Sequence, residues 1–211
     1  MQEEAEAAHG NSRREKRRRA ILNAAAKLFF ENGYERTTLS DVLALSGGSR
    51  STLADLFGGK EGLFTEVLRE TNGHVQAIFD ALDTNDAPIE VALKDFAQQF
   101  IEAIFQPSTV AITRILAAEG LRFPEIAEAF FRIGPDMGDK KLSAFLQRNV
   151  NTGALRPLDP IAMSRAFRGM IIGDTGLCVT MGTLTPEHIA DALAQVDPAV
   201  DIFLSGVRSE S

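Results

Sequence analysis

Residues 37–60, TTLSDVLALSGGSRSTLADLFGGK, decide the fold of this chain. The stretch predicts two short helices joined by a tight turn at Gly47-Gly48, because glycine takes the backbone angles of such a turn without a steric penalty. Thr38 and Ser49 stand where the two helices begin. A hydroxyl oxygen at that position can accept a hydrogen bond from an unpaired N–H of the first helical turn. We therefore predict a helix-turn-helix.

The second of these helices has two distinct sides. Leu53, Leu56 and Phe57 are spaced by three and four residues, as on a buried helix face. The residues left on the opposite side are Arg50, Ser51, Ala54 and Asp55. A short helix with a free polar face, held by a partner helix, suits insertion into the major groove of DNA.

The remainder of the chain also favours helix, and no stretch shows the alternation of a strand. We predict an all-α fold with a disordered tail over residues 1–12, a three-helix DNA-binding domain over 13–60, and a larger helical domain over 61–211. In the larger domain, the apolar run 161–181 predicts one continuous helix. Pro198 predicts a break in the last helix.

Charge divides the chain in the same way. Residues 11–60 contain ten Lys and Arg against five Asp and Glu, whereas residues 61–211 contain twelve against twenty-one. A basic N-terminal part on an acidic remainder suits phosphate binding by that part alone. The alternative is an ordinary solvated surface that happens to be basic.

Composition argues against several classes of protein. The single cysteine, Cys178, cannot form a disulfide framework, and the three histidines are too scattered for a recognisable metal motif. We find no catalytic signature, and therefore expect no enzyme activity, no metal and no cofactor. There is no apolar run of membrane-spanning length and no signal-peptide pattern, so we expect a cytoplasmic protein without a membrane partner.

Phenylalanine is abundant in the second part of the chain, which contains no tryptophan. An apolar pocket between helices, open to a small apolar effector, is one interpretation; plain core packing is the more usual role of any single phenylalanine. The candidate pocket residues are Phe79, Phe96, Phe100, Phe130, Phe131 and Phe167.

The run RRRAILNAAAKLFFENGYERTTLSDVLALSGGSRSTLADLFGGKEGLFTEVL, residues 17–68, resembles the DNA-binding domain of the TetR family of bacterial transcription regulators. The match has no gap and includes Gly33, Thr38, Asp41, Gly47 and Phe57. A later segment, AAEGLRFPEIAEAFF, is similar to part of the AefR-like regulatory domain of one subgroup. The resemblance implies a homodimer that binds a near-palindromic double-stranded operator. It also implies that the larger domain, residues 61–211, carries the effector pocket and the dimer contacts. Members of the family are mostly repressors.

Several residues match functional positions of that family. The resemblance implies minor-groove contacts by an N-terminal arm, phosphate contacts at the start of the second and fourth helices, and base contacts from the start of the recognition helix. The matching positions, with the outward-facing Asp55, are Arg17, Arg18, Arg19, Thr38, Ser40, Ser49, Arg50, Ser51, Thr52, Asp55 and Lys60. It also implies dimerisation through the last two long helices, for which the candidates are Met163, Phe167, Met170 and Ile171. Burial of these four within one subunit is the alternative.

The recognition helix departs from the family pattern at two positions. Ala54 stands where the family usually has tyrosine, and Leu56 where it has histidine or tyrosine. Asp55 adds a carboxylate, which phosphate repels but which a cytosine amino group can contact. The alternative function is thus a helical small-molecule-binding or protein-interaction module with a degenerate DNA-binding head.

Overall fold

A computed structural model describes residues 2–84 and 86–209 of the chain. Throughout this range the chain forms helices and connecting turns, with one isolated β-bridge between Leu155 and Arg208 and no strand. The α-helices of the described residues are α1 (Gln2–Arg36), α2 (Leu39–Ser46), α3 (Arg50–Phe57), α4 (Lys60–Ala81), α5 (Ile89–Ile104), α6 (Pro107–Glu119), α7 (Pro124–Ile133), α8 (Pro135–Asn151), α9 (Pro160–Ile172), α10 (Thr175–Met181), α11 (Pro186–Ala194) and α12 (Val196–Val207). A single 3₁₀ turn, Leu82–Thr84, follows α4. The predicted all-α fold class is confirmed.

Contacts divide the chain into two compact units. Unit 1 comprises Met1–Glu70 and Ile115–Ala129, and unit 2 comprises Thr71–Arg114 and Phe130–Ser211. The sequence placed one boundary at residue 60. The structure instead assigns the first half of α4 to unit 1, together with a segment from the middle of the chain. Helices α4, α6 and α7 therefore each contribute residues to both units.

Unit 1 is built on an aromatic cluster. Phe29, Tyr34 and Phe64 are buried, and their ring centroids lie 5.0–5.9 Å apart. Phe123, from the middle of the chain, adds a fourth ring 5.2 Å from Tyr34. Helix α1 bends at Gly33, where φ is 83°, a value that favours glycine. This bend turns the end of α1 so that Tyr34 enters the cluster.

The helix boundaries predicted for the helix-turn-helix are confirmed. Thr38 caps α2 in a capping box with Asp41, and Ser49 caps α3 by accepting from the Thr52 N–H at 3.1 Å. Helix α3 ends at Gly58, which adopts the left-handed conformation. Local sequence alone was enough to locate these two helices.

Unit 2 has one contiguous apolar core. Its centre is α5, which buries seven residues and packs against α9, α11 and α12. Helix α8 packs along α9. By length and composition only the bent pair α5 and α6 together could cross a bilayer, and none of the described helices could do so alone.

Two predicted helices of unit 2 differ from the structure. The run 161–181 is not one helix, because Gly173 has a φ of 50° and separates α9 from α10. Pro198 does not end a helix. It lies in the first turn of α12, where proline costs no intrahelical hydrogen bond, and the break comes earlier, at Gln195.

The N-terminal tail stays a prediction. Helix α1 is assigned from Gln2, within the stretch 1–12 that the sequence predicts to be disordered. Glutamate and alanine, which dominate this stretch, have good intrinsic helix propensity. In residues 2–12 only the backbone is described, and side chains are described from Arg13 onward.

Candidate nucleic-acid interface and effector cavity

The outward face of α3 is placed as its spacing predicts. Leu53 and Phe57 are buried, whereas Arg50, Ser51 and Asp55 are exposed. These three polar side chains are therefore available on one face of a short, capped helix. Their contact with DNA bases stays a prediction.

Arg50 is oriented by the preceding helix. Its Nη2 donates to the hydroxyl oxygen of Ser40, 2.8 Å away, and both side chains are exposed. One of the five donors of the guanidinium is used in this bond, and the others remain for a base edge or a phosphate. Ser40 thus holds Arg50 in position, a role that the sequence does not indicate.

Two hydroxyls predicted to contact DNA, Thr38 at a phosphate and Ser49 at the start of the recognition helix, serve first as caps. The Thr38 hydroxyl accepts from the Asp41 N–H at 3.2 Å and donates to its carboxylate at 2.6 Å. The Ser49 hydroxyl lies 2.9 Å from those of Ser51 and Thr52. These bonds fix the starts of α2 and α3. Any phosphate contact would therefore have to share these hydroxyls with the caps.

Basic residues of α1 lie beside the recognition helix. Arg13, Arg14 and Arg17 line a shallow groove together with Asp55 and other residues of α3. Arg17 also donates to the carbonyl oxygen of Ser46, 3.1 Å away. The predicted arm thus begins as helix at these positions. Its arginines extend the positive surface of α3.

Arg18 does not belong to this surface. Its guanidinium pairs with the Glu66 carboxylate and lies 5.7 Å from the centre of the Phe57 ring. Residues on a helix point in successive directions about 100° apart, so Arg18 faces the interior side while Arg17 and Arg19 stay exposed. The DNA contact predicted for Arg18 therefore competes with its ion pair to Glu66, and it stays a prediction.

Lys60 is also held inside unit 1. Its ammonium donates to the carbonyl oxygen of Glu35 at 2.9 Å and lies 4.5 Å from the Tyr34 ring centre. Burial lowers the pKa of Lys60, while the carboxylates of Glu119 and Glu35 act in the opposite direction. Burial and the nearby carboxylates raise the pKa of Tyr34 to about 12. Lys60 thus anchors the end of α1, and the phosphate contact predicted for it competes with that bond.

The carboxylate of Glu119, from the middle of the chain, also binds the end of α1. Glu119, at the end of α6, accepts from the backbone N–H groups of Tyr34 at 3.0 Å and Glu35 at 2.6 Å. Arg122 forms a two-bond ion pair with the Glu35 carboxylate. A Cβ atom on Gly33 would lie 2.2 Å from a Glu119 oxygen, so glycine there is what admits the carboxylate. We call this arrangement the Glu119 clamp.

Unit 2 encloses a cavity of about 200 Å³. Three of the predicted pocket residues, Phe79, Phe100 and Phe130, line it. The other lining residues are Asn72, Val75, Ile104, Phe105, Thr109, Thr113, Gly134, Pro135, Arg168, Ile172, Gly176 and Val179. The wall is therefore largely apolar, with a few polar groups from α4, α6 and α9.

The other three predicted pocket residues lie elsewhere. Phe96 and Phe167 are buried in the core, where Phe96 stacks on Phe100 at 5.5 Å and Phe167 packs on Phe203 at 4.9 Å. Phe131 is 56% exposed. The correction has a simple cause, since consecutive residues such as Phe130 and Phe131 point in different directions on a helix.

One charged residue of the cavity wall is tied to a buried carboxylate. Arg168 donates from Nη2 to Asp139 at 2.7 Å, and Asp139 also accepts from Arg165 and Ser164, each at 3.1 Å. The Nε of Arg168 is buried and has no hydrogen-bond partner among the described residues. Sequence reasoning missed Arg168, together with the polar wall residues Asn72, Thr109 and Thr113. The only signal was the pair of threonines four residues apart on α6.

The four residues predicted to form a dimer interface differ in their exposure. Met163, Phe167 and Ile171 are buried inside unit 2, so that for these three the structure favours burial within one subunit. Met170 is 37% exposed. It borders a shallow apolar depression on α9 and α12, whose lining also includes Leu158, Ala162, Ala166, Ile202 and Gly206. Met163 lines the same depression beside Met170, so two of the four predicted interface residues lie on this face, which we call the α9–α12 face.

Among the described residues, no group of three or more His, Cys, Asp or Glu side chains is placed to hold a metal ion. Cys178 is free and half-buried.

Both units match known protein families. Residues 21–67 match the model of bacterial regulatory proteins of the tetR family, and residues 91–206 match the C-terminal domain of AefR-like transcriptional repressors. The second match alone covers more than half of the chain.

Individual relatives agree with these matches. The chain is 29% identical over 123 residues to the helix-turn-helix transcriptional regulator YezE of Bacillus subtilis, and spans 63% of that protein's length and 56% of its own. It is 27% identical over 183 residues to the transcriptional repressor AcnR of Corynebacterium glutamicum, covering 87% of this chain and 92% of AcnR. The solved structure of the flavonoid-responsive regulator FrrA superposes with a TM-score of 0.71 at 27% identity, over 93% of this chain and all of FrrA. The chain therefore belongs to the TetR family of bacterial transcriptional regulators, with a C-terminal domain of the AefR-like type.

Proposed function

We propose that this regulator is a homodimeric repressor that leaves a palindromic operator when a small, mostly apolar molecule fills the cavity of unit 2. The supporting observation is the cavity itself, enclosed in a unit whose sequence matches a repressor domain. Regulators of this family bind DNA operators and act as dimers. AcnR is named a repressor and FrrA is named flavonoid-responsive, which favours the same two properties here. We place the protein in the cytoplasm, where bacterial DNA is found.

DNA binding is assigned to the outward face of α3 and to the arginines of α1 beside it. Arg50 carries the base-reading role, because it is exposed, held by Ser40 and able to contact a guanine edge with two donors. Arg13, Arg14 and Arg17 supply phosphate contacts, whose strength falls as salt rises. Asp55 lies on the same groove and repels phosphate, so we assign it a base contact.

The test of DNA binding starts from a pool of random duplexes selected on the purified protein. We expect recovery of a near-palindromic site whose half-sites lie about 34 Å apart, one turn of DNA. Arg50→Ala should weaken binding to the selected site by about 1–3 kcal/mol and relax the sequence preference. Lys140→Ala removes an exposed charge from α8 in unit 2 and is the matched control. Failure to enrich any sequence, across a salt series, would favour the alternative of a degenerate DNA-binding head.

The dimer is assigned to the α9–α12 face. Leu158, Ile161 and Ile202 are 41%, 45% and 64% exposed, and with Met170 they form an apolar patch that water would otherwise contact. Ala166 and Gly206 are small, which lets a second helix pair approach closely. A second copy of the chain is the occupant that the family implies.

Sedimentation equilibrium tests this assignment. We expect a dimer for the native protein and a monomer for Ala166→Arg, because a guanidinium in the centre of the patch would be buried without a partner. Leu121→Arg places the same charge at an apolar residue that is 97% exposed in unit 1, and should leave the dimer intact. A dimer that survives Ala166→Arg would show that the face lies elsewhere.

Coupling of the two sites is assigned to the helices that both units share. Helix α6 carries Thr109 and Thr113 of the cavity wall and ends at Glu119 of the clamp. Helix α4 begins at Lys60 and includes Phe79 of the wall. The protein would exchange between a DNA-binding state and a released state. An effector can shift the equilibrium between these states only through its different affinities for them. A joint titration tests the mechanism. If operator and effector bind independently, the coupling is refuted.

A further inference from the structure

The polar atoms of the cavity wall are not equivalent. The Thr109 hydroxyl donates to the Ala103 carbonyl at 3.2 Å, and the Thr113 hydroxyl donates to the Thr109 carbonyl at 3.0 Å. Each hydroxyl has one proton, and here a helix carbonyl already accepts it, so that only oxygen lone pairs remain. Both threonines therefore present acceptors to whatever fills the cavity.

Asn72, on α4, adds a third acceptor to the cavity wall. Its Nδ2 donates to the carbonyl oxygen of Ile133 at 3.1 Å, which fixes the amide with its oxygen as the atom not engaged there. A ligand that suits these three residues must itself carry O–H or N–H donors, because buried acceptors without donors are unfavourable.

Arg168 supplies the opposite chemistry. Its Nε is a buried donor without a hydrogen-bond partner among the described residues, at a cavity-lining position. The Asp139 carboxylate near it is shared with Arg165, so two guanidinium groups face one negative charge. A ligand oxygen with partial or full negative charge is therefore favoured at Arg168.

The rest of the wall selects a flat apolar body. Phe79, Phe100, Phe105 and Phe130 offer ring faces and edges, and no Asp or Glu among the described residues lines the cavity to attract a cation. A cavity of 150 Å³ holds benzene, so about 200 Å³ suits a molecule of one or two fused rings.

We propose that the effector is a small phenolic compound, whose hydroxyl donates to Asn72 or the threonines and whose carbonyl or phenolate oxygen accepts from Arg168. This inference rests on the proposed function, in which the cavity is the effector site. It adds the chemical class of the ligand. A fatty acyl chain lacks the donors, and an organic cation lacks a counter-charge in the wall.

One scaffold tests the class. We would titrate the full-length protein with 7-hydroxycoumarin, 7-methoxycoumarin and coumarin-3-carboxylate by isothermal calorimetry. The hydroxyl compound should bind about three- to tenfold more tightly than its methyl ether, the loss expected for one neutral hydrogen bond. Equal binding of the two, or tighter binding of the carboxylate, would overturn the phenolic assignment.

Variants locate the contact. Thr113→Val removes one acceptor while keeping the side-chain shape, and should reduce the preference for the hydroxyl over the methoxy compound. Thr180→Val deletes a hydroxyl that donates to the Leu177 carbonyl on α10, outside the cavity wall, and should not change it. Arg168→Met should weaken all compounds that carry the ring carbonyl. Far-UV circular dichroism first establishes that this variant is folded, and Arg168→Lys replaces it otherwise. A hydroxyl preference unchanged in Thr113→Val, together with coumarin affinities unchanged in the Arg168 variant, would refute the proposed contacts.

Failure of this inference is distinguishable from failure of the proposed function. Naphthalene, an uncharged apolar molecule of two fused rings, tests whether the cavity admits any ligand. If naphthalene binds and Phe100→Ala alters its binding, but the coumarins show no hydroxyl preference, the effector site is supported and the phenolic class is refuted. If neither naphthalene nor any coumarin binds, the effector site itself is refuted, and the inference with it.

Discussion

The two units use aromatic residues in opposite ways. In unit 1, Phe29, Tyr34, Phe64 and Phe123 pack ring against ring. In unit 2, Phe79 and Phe100 contact each other on one side and border a cavity of about 200 Å³ on the other. A helix-turn-helix must keep one shape to match a DNA groove, whereas an effector site must leave space for a ligand. We infer that packing density itself separates the two functions.

Truncating one aromatic ring in each unit should give the largest difference in folding free energy between the two units. Phe64 is fully buried among other rings, so Phe64→Ala should cost about 3–5 kcal/mol of folding free energy. Phe130 is half-buried and already borders a void, so Phe130→Ala should cost only about 1–2 kcal/mol. Hydrogen exchange, resolved by peptide, measures the local free energy of each unit. Similar losses in the two variants would contradict the comparison.

Adding a methyl group to a glycine is the second way to compare the packing of the two units. A Cβ on Gly62 would lie 1.9 Å from the Phe57 carbonyl oxygen, which is backbone and cannot move alone. A Cβ on Gly138 would lie 2.7 Å from the Phe79 ring, which has the cavity beside it. Overpacking typically costs about 1–3 kcal/mol, and we expect Gly62→Ala near the top of that range.

Gly138→Ala is the matched variant, with an expected loss below about 1 kcal/mol, since Ala is also the better helix former. Urea unfolding followed by circular dichroism measures both. Gly138→Ala should also reduce naphthalene binding, because a displaced Phe79 ring would occupy part of the cavity. A larger stability loss in Gly138→Ala than in Gly62→Ala would show that the cavity wall is rigid.

The helix-turn-helix was predictable because its signals are local. Caps at Thr38 and Ser49, the glycine turn between them and the spacing of Leu53 and Phe57 all act within one or two helical turns. The outward face of α3 followed from the same spacing. Nothing beyond the segment itself was needed.

Pairings between distant segments were not predictable. Arg18 meets Glu66, and Glu119 meets the backbone of Tyr34, 85 positions away. The wall of the cavity depends in the same way on how α4, α5, α6 and α9 pack, so that only half of the chosen phenylalanines line it. Spacing identified one apolar face on α9, but it did not show that Phe167 and Ile171 are buried in the core while Met163 and Met170 line a surface depression.

The Glu119 clamp gives a third prediction, on coupling within unit 1. Glu119→Gln keeps the shape but leaves one backbone N–H facing an amide NH₂, and should cost about 1–2 kcal/mol. Gly33→Ala should cost a similar amount, from its positive φ and from the 2.2 Å approach to the carboxylate. Urea unfolding gives both free energies.

The double variant separates these two causes. With Glu119→Ala, the close approach to the new Cβ disappears and only the backbone strain of Gly33→Ala remains. The two changes should then be less than additive, with a coupling of about 0.5–3 kcal/mol. Glu128→Gln, at an exposed residue of α7, is the control and should change stability by less than about 0.5 kcal/mol. Strict additivity would mean that the clamp is absent in solution.

The smallest effect distinguishes two neighbouring arginines of α1. Arg18 pairs with Glu66 and lies over Phe57, so Arg18→Gln should reduce stability by up to about 1 kcal/mol, a usual value for partly exposed pairs. Arg17 is exposed beside α3, so Arg17→Gln should leave stability unchanged and reduce the slope of log affinity against log salt by about 1. Urea unfolding and fluorescence polarisation on the selected operator measure the two quantities. If Arg18→Gln changed the salt slope as much as Arg17→Gln, its guanidinium would be free to reach phosphate, and the division of this basic run into inward and outward charges would be wrong.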